Sequence, residues 1–287
     1  MSAPALALAA GFAFATGGII LKRALVYSRP LVAAVISVTA TAGFVWIVAA
    51  LTVPLDALLT PRVVPFLIAG VIAPGLSRLA VFTGVDRIGV ARSVVLVSTS
   101  PLFAIALAIL FLGERPSWVL LIGAVCVVTG GILLARRGHA EKLWRRRDLV
   151  LPLFGALGFA IRDNISRWGL IDFSEPMVAA AAATLSSVVV MWIVAAGQWA
   201  RGALQFNRTG LAFMLLSGCC EGVAYLAMWK ALDLGDVSVV TPLVHSQPLF
   251  TIALTLLFLR DLERITWRIA LAAGSILSGV VLVIRFR

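Results

Sequence analysis

PLFAIALAILFL at residues 101–112 and PLFTIALTLLFL at residues 248–259 are one apolar phrase written twice, 147 positions apart, with nine of the twelve positions identical. The register runs well beyond the phrase. Upstream and without a gap, Gly11-Phe12-Ala13 falls on Gly158-Phe159-Ala160, Gly75 on Gly222, Leu79-Ala80 on Leu226-Ala227 and Asp86 on Asp233. Past residue 112 a two-residue insertion intervenes, after which Glu114 matches Glu263, Trp118 matches Trp267, Gly130 matches Gly279 and Arg136 matches Arg285. Chance similarity between apolar helices yields scattered matches, not a sustained register. The chain reads as a tandem duplication.

Composition says where the two copies reside. Of 287 residues, 61% are hydrophobic and 13% charged, and mean hydropathy is +1.06. A soluble domain averages roughly 45–50% apolar and about 25% charged, so the class is an integral membrane protein. About 20 apolar helical residues cross the roughly 30 Å hydrocarbon core. Ten segments qualify, near 4–23, 31–53, 63–84, 90–112, 117–135, 148–169, 176–197, 208–230, 238–259 and 267–285. The ten-residue alternation of a membrane β-barrel is absent from the sequence. The first segment lacks the positive n-region of a signal peptide and has a partner in the second half, so it reads as a mature helix. Cys126, Cys219 and Cys220 lie in apolar helices with no metal-ligand spacing and read as core filler. The fold class expected is all-α: a polytopic membrane protein of ten transmembrane helices. Residues 4–137 form the first five-helix repeat, 138–147 a basic connecting loop and 148–287 the second repeat. Five is odd, so the second repeat enters the bilayer from the opposite side. An inverted repeat of this kind places a site near mid-membrane, where two similar halves can rock to expose it to either side.

The run PLFAIALAILFLGERPSWVLLIGAVCVVTGGILL (101–134) resembles the helix 4–helix 5 signature of the drug/metabolite transporter superfamily, EamA type. Its elements are a proline before a hydrophobic helix end, then LGE, then a glycine-bearing apolar helix that closes the half. PLFTIALTLLFLRDLERITWRIALAAGSILSGVVLV (248–283) keeps the pattern with RDLE in place of GE. The resemblance covers essentially the whole chain. It implies ten helices in two halves and a transport activity. It leaves the substrate open among amino acids, sugars, nucleotide derivatives, drugs and other metabolites.

Of the 24 Lys and Arg residues, 16 lie in or beside loops that follow odd-numbered helices and 5 on the other side. The positive-inside rule makes the richer side cytoplasmic, with both termini outside. The resemblance implies the reverse, both termini in the cytoplasm. RRGHAEKLWRRRD, between the halves, reads as a lipid-facing topology determinant rather than a nucleic-acid patch. Trp118, Trp144, Trp199 and Trp267 read as interface anchors.

Ionisable residues at membrane depth are functional candidates by default. Here they are Arg78, Arg162, Asp163, Arg167, Glu221 and His245. Lys230 lies near a helix end, where its stem can snorkel. The repeat aligns Ser98-Thr99-Ser100-Pro101 with His245-Ser246-Gln247-Pro248. A proline within a helix frees the carbonyl four residues earlier, here Val97 and Val244, and matched interruptions in two halves point to a transporter's binding site. Pro242 predicts a second break in helix 9. Glu221 and Tyr225, one turn apart, share a face; their register mates are Pro74 and Arg78. Glu221 and Arg78 could meet across the cavity or clamp a zwitterion. Asp163 and Arg167, at i,i+4, are expected to neutralise each other, leaving Arg162 for a carboxylate or phosphate. Met228 and Trp229 suit an apolar cavity wall. The substrate-binding set is therefore Arg78, Ser98, Ser100, Arg162, Glu221, Tyr225, His245 and Gln247, with Glu221, His245 and Asp163 as proton carriers. The bland alternatives are packed kinks and a structural ion pair between helices 3 and 8.

These residues predict a secondary transporter in the plasma membrane (the inner membrane of a cell with two). It would move a small polar metabolite, amino-acid-like or an organic acid, by alternating access, and export is the favoured direction. Its partners are that small molecule and membrane lipids, with no nucleic acid; a homodimer is left open. No cofactor or metal is expected. No P-loop accompanies the helices, so ATP drive is not expected. Three rivals stand beside it. One is a flippase for a lipid carrier or other phosphate-bearing substrate on the same fold, using Arg162 and Arg78. The second is an intramembrane serine protease built on GLSR at 75–78 with His245 as base, and the third a scaffold without transport activity. Arg78 occupies the place of the protease motif's last glycine, and an enzyme is not expected.

Overall fold

The computed structural model describes residues 1–54, 57, 60–135, 145–199, 207–258 and 267–286, and among them there is no strand. Hydrocarbon offers no hydrogen bonds, so each apolar run satisfies its backbone within itself by coiling. Ten spans result. They are α1 (Ala3–Ala24), α2 (Pro30–Thr52), α3 (Val64–Gly70 and Ser77–Ile88), α4 (Val90–Val97 and Ser100–Leu107), α5 (Trp118–Ala135), α6 (Val150–Asp172), α7 (Pro176–Trp199), α8 (Arg208–Leu234), α9 (Val237–Val244 and Gln247–Phe258) and α10 (Trp267–Arg285). Nine are long and apolar enough to cross a bilayer; the α5 stretch Trp118–Leu134 is apolar but shorter. Proline opens α1, α2 and α7, where its missing N–H costs no helical bond. Asn207 caps α8, its Oδ1 accepting the Gly210 N–H at 2.6 Å. The connecting loop lies outside the described residues apart from 145–147, and so do Trp144 and the RDLE segment.

Three spans are broken. In α3 a π-turn over Val71–Leu76 separates the two pieces, with Ala73 extended (φ −149°, ψ 130°) ahead of Pro74. The apolar run near 63–84 predicts a continuous span, and the extended Ala73 ahead of Pro74 breaks it. In α4 and α9 the breaks fall at Ser98-Thr99 and His245-Ser246. Pro101 and Pro248 therefore do not interrupt a continuous helix. They open the second segments, where the fixed φ of proline suits a first turn. Pro242 makes no second break: α9's first segment runs through it. A π-turn over Ala108–Leu112 ends α4 at Gly113, whose φ of +70° is left-handed and cheap only for glycine.

The principal interfaces come in pairs under exchange of the first five spans with the last five. α1 packs on α8 as α6 packs on α3, α1 on α9 as α6 on α4, and α2 on α8 as α7 on α3. The α2–α7 and α5–α10 contacts map onto themselves. In α5–α10 the backbones nearly touch, for a Cβ on Gly123 would stand 2.9 Å from the Gly279 carbonyl oxygen. Such close approach is how helices cohere where lipid and side chain are equally apolar. Large apolar side chains such as Ile47, Leu51, Leu110, Phe111 and Ile193 point outward, and Trp118 and Trp267 stand exposed at the starts of α5 and α10. Cys219 is exposed as well, so it is not core filler; Cys126 and Cys220 are half-buried.

Candidate functional site

The breaks and the ionisable residues converge on one cavity of about 920 Å³, within the size range of small-metabolite sites. Its mouth is lined by Ile19 and Lys22 of α1, Leu134 of α5, Thr255 of α9 and Ile269 of α10. These are the ends that meet the loops following odd-numbered helices, the side carrying 16 basic residues. The floor lies midway along the spans, at Phe14, Phe159, Arg162, Tyr225, Met228 and His245. Beyond the floor a smaller cavity of about 470 Å³ opens to the far side, lined in part by Arg167, Asp236 and Val239.

Seven of the eight residues assigned to substrate line the main cavity: Arg78, Ser98, Arg162, Glu221, Tyr225, His245 and Gln247, together with Pro248. Ser100 does not. It is buried, and its hydroxyl donates to the Ala156 carbonyl at 2.9 Å, tying α4 to α6. Pro101 and Pro242 are buried in packing rather than exposed to the cavity.

Arg78 and Glu221 do meet. Nη1 donates to Oε2 at 2.8 Å and Nη2 to Oε1 at 3.1 Å, with Ser37 Oγ accepting a further bond from Nη2 at 3.2 Å. This fork-on-fork geometry uses both carboxylate oxygens. The two side chains clamp each other, one from each half.

Arg162 pairs differently from expectation. Asp163 does not neutralise Arg167. Its Oδ1 accepts Nε and Nη2 of the adjacent Arg162 at 2.9 and 2.6 Å, while Oδ2 accepts the Thr241 hydroxyl at 3.3 Å. Arg167 instead reaches the end of α8, donating to the carbonyls of Leu232 and Asp233 at 3.0 and 2.9 Å, and stands 3.7 Å from Asp236. A guanidinium carries five N–H donors. On Arg162, Asp163 takes one edge; Nη1 is left with a long 3.5 Å contact to the Tyr225 hydroxyl, and Met228 Sδ lies 3.6 Å from Nη2. Phe159 and Tyr225 present ring faces to the same group, with 5.4 and 5.9 Å from Cζ to centroid. A buried cation therefore has one edge of its fork turned to a cavity, an arrangement that can accept a carboxylate.

His245 ends the first segment of α9. Its Nδ1 lies 3.0 Å from the Thr241 carbonyl oxygen. A carbonyl only accepts, so Nδ1 carries the proton and Nε2 is the acceptor of the neutral ring. Asp163 sits behind Arg162 rather than in the cavity lining. Ser77, the nucleophile a GLSR protease would need, is buried and donates to the Ile72 carbonyl at 2.7 Å; it is not hydrogen-bonded to His245. Among the described residues, no cluster of His, Cys, Asp or Glu could hold a metal ion.

Comparisons with known proteins fit this geometry. The profile of the EamA-like transporter family matches twice, over residues 1–136 and 148–285. A protein of Sinorhizobium sp. named "Uncharacterized transporter in cobO 3'region" is 34% identical over 107 residues, which span 34% of this chain and 75% of that protein. A protein of known crystal structure superposes with a TM-score of 0.81, covering 98% of this chain and 95% of its own at 15% identity. At that identity the likeness concerns the fold alone.

Proposed function

Because the chain belongs to the EamA-like transporter family and is a multi-pass membrane transporter, we propose that it moves a small carboxylate-bearing metabolite, amino-acid-like or an organic acid, by alternating access through the cavity between its halves. The observation that carries this reading is the open edge of Arg162. Two donors are committed to Asp163, and Nη1 has only a long 3.5 Å bond to the Tyr225 hydroxyl, where both side chains line the cavity. A carboxylate seated there would take Nη1 and the phenol together. Its apolar part would lie against Phe14, Phe159 and Met228, and its remaining polar groups would face Ser98, Gln247 and His245 Nε2.

Arg78 and Glu221 play another part in this reading. Bonded to each other through both oxygens, they leave neither charge free to bind a zwitterion, and their role is to join the halves. The positive-inside count makes the open mouth cytoplasmic in the plasma membrane, which suits loading from inside and export. Proton coupling falls to His245 and to the Arg162–Asp163 pair, whose partners rearrange as substrate arrives.

A flippase for phosphate-bearing substrates is the second reading, because the same open edge would accept a phosphate. Flux into proteoliposomes, measured across carboxylates, amino acids and phosphate esters with and without a pH gradient, decides. The proposal expects carboxylates or amino acids among the substrates carried, with flux lost in Arg162→Ala. Transport confined to phosphate esters, or carboxylate flux indifferent to Arg162→Ala, overturns it.

A further inference from the structure

On the far side the halves are joined by a bond that involves none of the cavity residues. Glu114, in the short connection from α4 to α5, accepts the backbone N–H of Val237 at 2.7 Å and of Ser238 at 2.9 Å. These residues begin the first segment of α9. The opening N–H groups of a helix have no partner within it, and they carry its positive end, which favours an anion. Asp236 sits at the N-cap but makes no cap bond with its side chain. Glu114, from the other half, takes that place with both oxygens.

The eight-residue segment held in this way ends at the cavity floor. It carries Thr241, which reaches Asp163, and it stops at His245, which lines the cavity. The packing around it breaks the exchange symmetry of the halves. The first segment of α9 packs on the second segment of α4 and on α5. Its counterpart, the first segment of α4, makes no comparable packing on the second segment of α9 or on α10 among the described residues. The counterpart flanks the mouth, where Val94, Thr255 and Ile269 line the opening. One side is latched and the other parted.

We infer that Glu114 is the latch of the far gate: a positioning residue that holds the first segment of α9 against α4 and α5 and must release it before the cavity opens to that side. On the same reasoning, release lets the first segment of α4 close over the mouth. The inference builds on the transport reading, but its test needs no substrate and so fails or succeeds independently of the flux assay.

The test is amide hydrogen exchange on purified protein, comparing wild type with Glu114→Gln and Val237→Pro. Gln keeps the length and one acceptor but loses the charge. Proline removes one of the two donors at a first-turn position that tolerates it, after an Asp236 already extended at φ −69° and ψ 148°. Either substitution stands in for the other if one fails to fold. Both are expected to speed exchange over 237–244 by about tenfold, the factor that loss of one charge-assisted bond corresponds to. Both are also expected to slow exchange over 90–97 severalfold, as the mouth closes in compensation. Faster exchange at 237–244 with no slowing at 90–97 would reduce Glu114 to a helix cap and overturn the inference. Unchanged exchange at both segments would overturn it too.

Discussion

Removing Arg78 alone strands a carboxylate. The Glu221 side chain is 9% exposed and the Arg78 side chain 15%, and both Glu221 oxygens are held by this one guanidinium. Breaking a buried pair by deleting one partner costs about 3–5 kcal/mol. The adjoining cavity admits water to the stranded group, so Arg78→Ala is expected at the lower bound, about 3 kcal/mol. For a chain of this size that lowers the melting temperature by on the order of 10 °C. Glu221→Gln keeps one neutral acceptor for Arg78 and is expected to cost about 1–2 kcal/mol. The double variant Arg78→Met/Glu221→Leu leaves no charge behind and fills similar volume, so it should melt within about 1 kcal/mol of wild type. Thermal unfolding of detergent-purified protein, followed by tryptophan fluorescence, reads all three. Arg78→Ala melting with wild type, or the double variant melting as low as the single, would refute the reasoning that this pair is buried and mutually dependent.

Arg162→Lys keeps the charge but loses the planar fork, and should raise the KM for carboxylate flux at least tenfold, with little change in melting temperature. Equal KM values in proteoliposomes would remove Arg162 from the binding role. Gly279→Leu drives a side chain into the Gly123 backbone and is expected to cost about 1–3 kcal/mol or more, read as a lowered melting temperature. Ser77→Ala should leave flux intact, costing about 1 kcal/mol for its bond to the Ile72 carbonyl. A serine-reactive probe that labels wild type but not this variant would instead revive a catalytic role.

The spans were legible in the sequence because hydrocarbon thickness dictates their length, and the broken fourth and ninth spans because matched prolines punctuate them. What those prolines do was harder to read. Pro101 and Pro248 look like interruptions in a string of letters, but once the chain has already broken at Ser98 or His245 they become good first residues of a new helix. The meeting of Arg78 and Glu221 was foreseeable, since few charges survive at that depth and each needs another. The Asp163 partnership was not. Spacing favours the residue one turn on, Arg167, but that side chain is drawn to the free carbonyls at the end of α8, a tertiary feature no local pattern encodes. Arg162, largely buried, folds its long stem back to its neighbour. Ser100 shows a similar limit: its motif is right, but its face of the helix turns to α6.

The bonding at mid-membrane has an electrical corollary. Arg78 offsets Glu221, and Arg162 offsets Asp163, so with a neutral imidazole at His245 the vacant carrier's centre sums to zero. A charge crossing the bilayer exchanges about 2.3 kcal/mol with each 100 mV of potential. On the proposed cycle the vacant carrier's return stroke therefore moves nothing that voltage can grip. The resting potential acts on the loaded stroke alone, through whatever charge the cargo and its coupled proton bring.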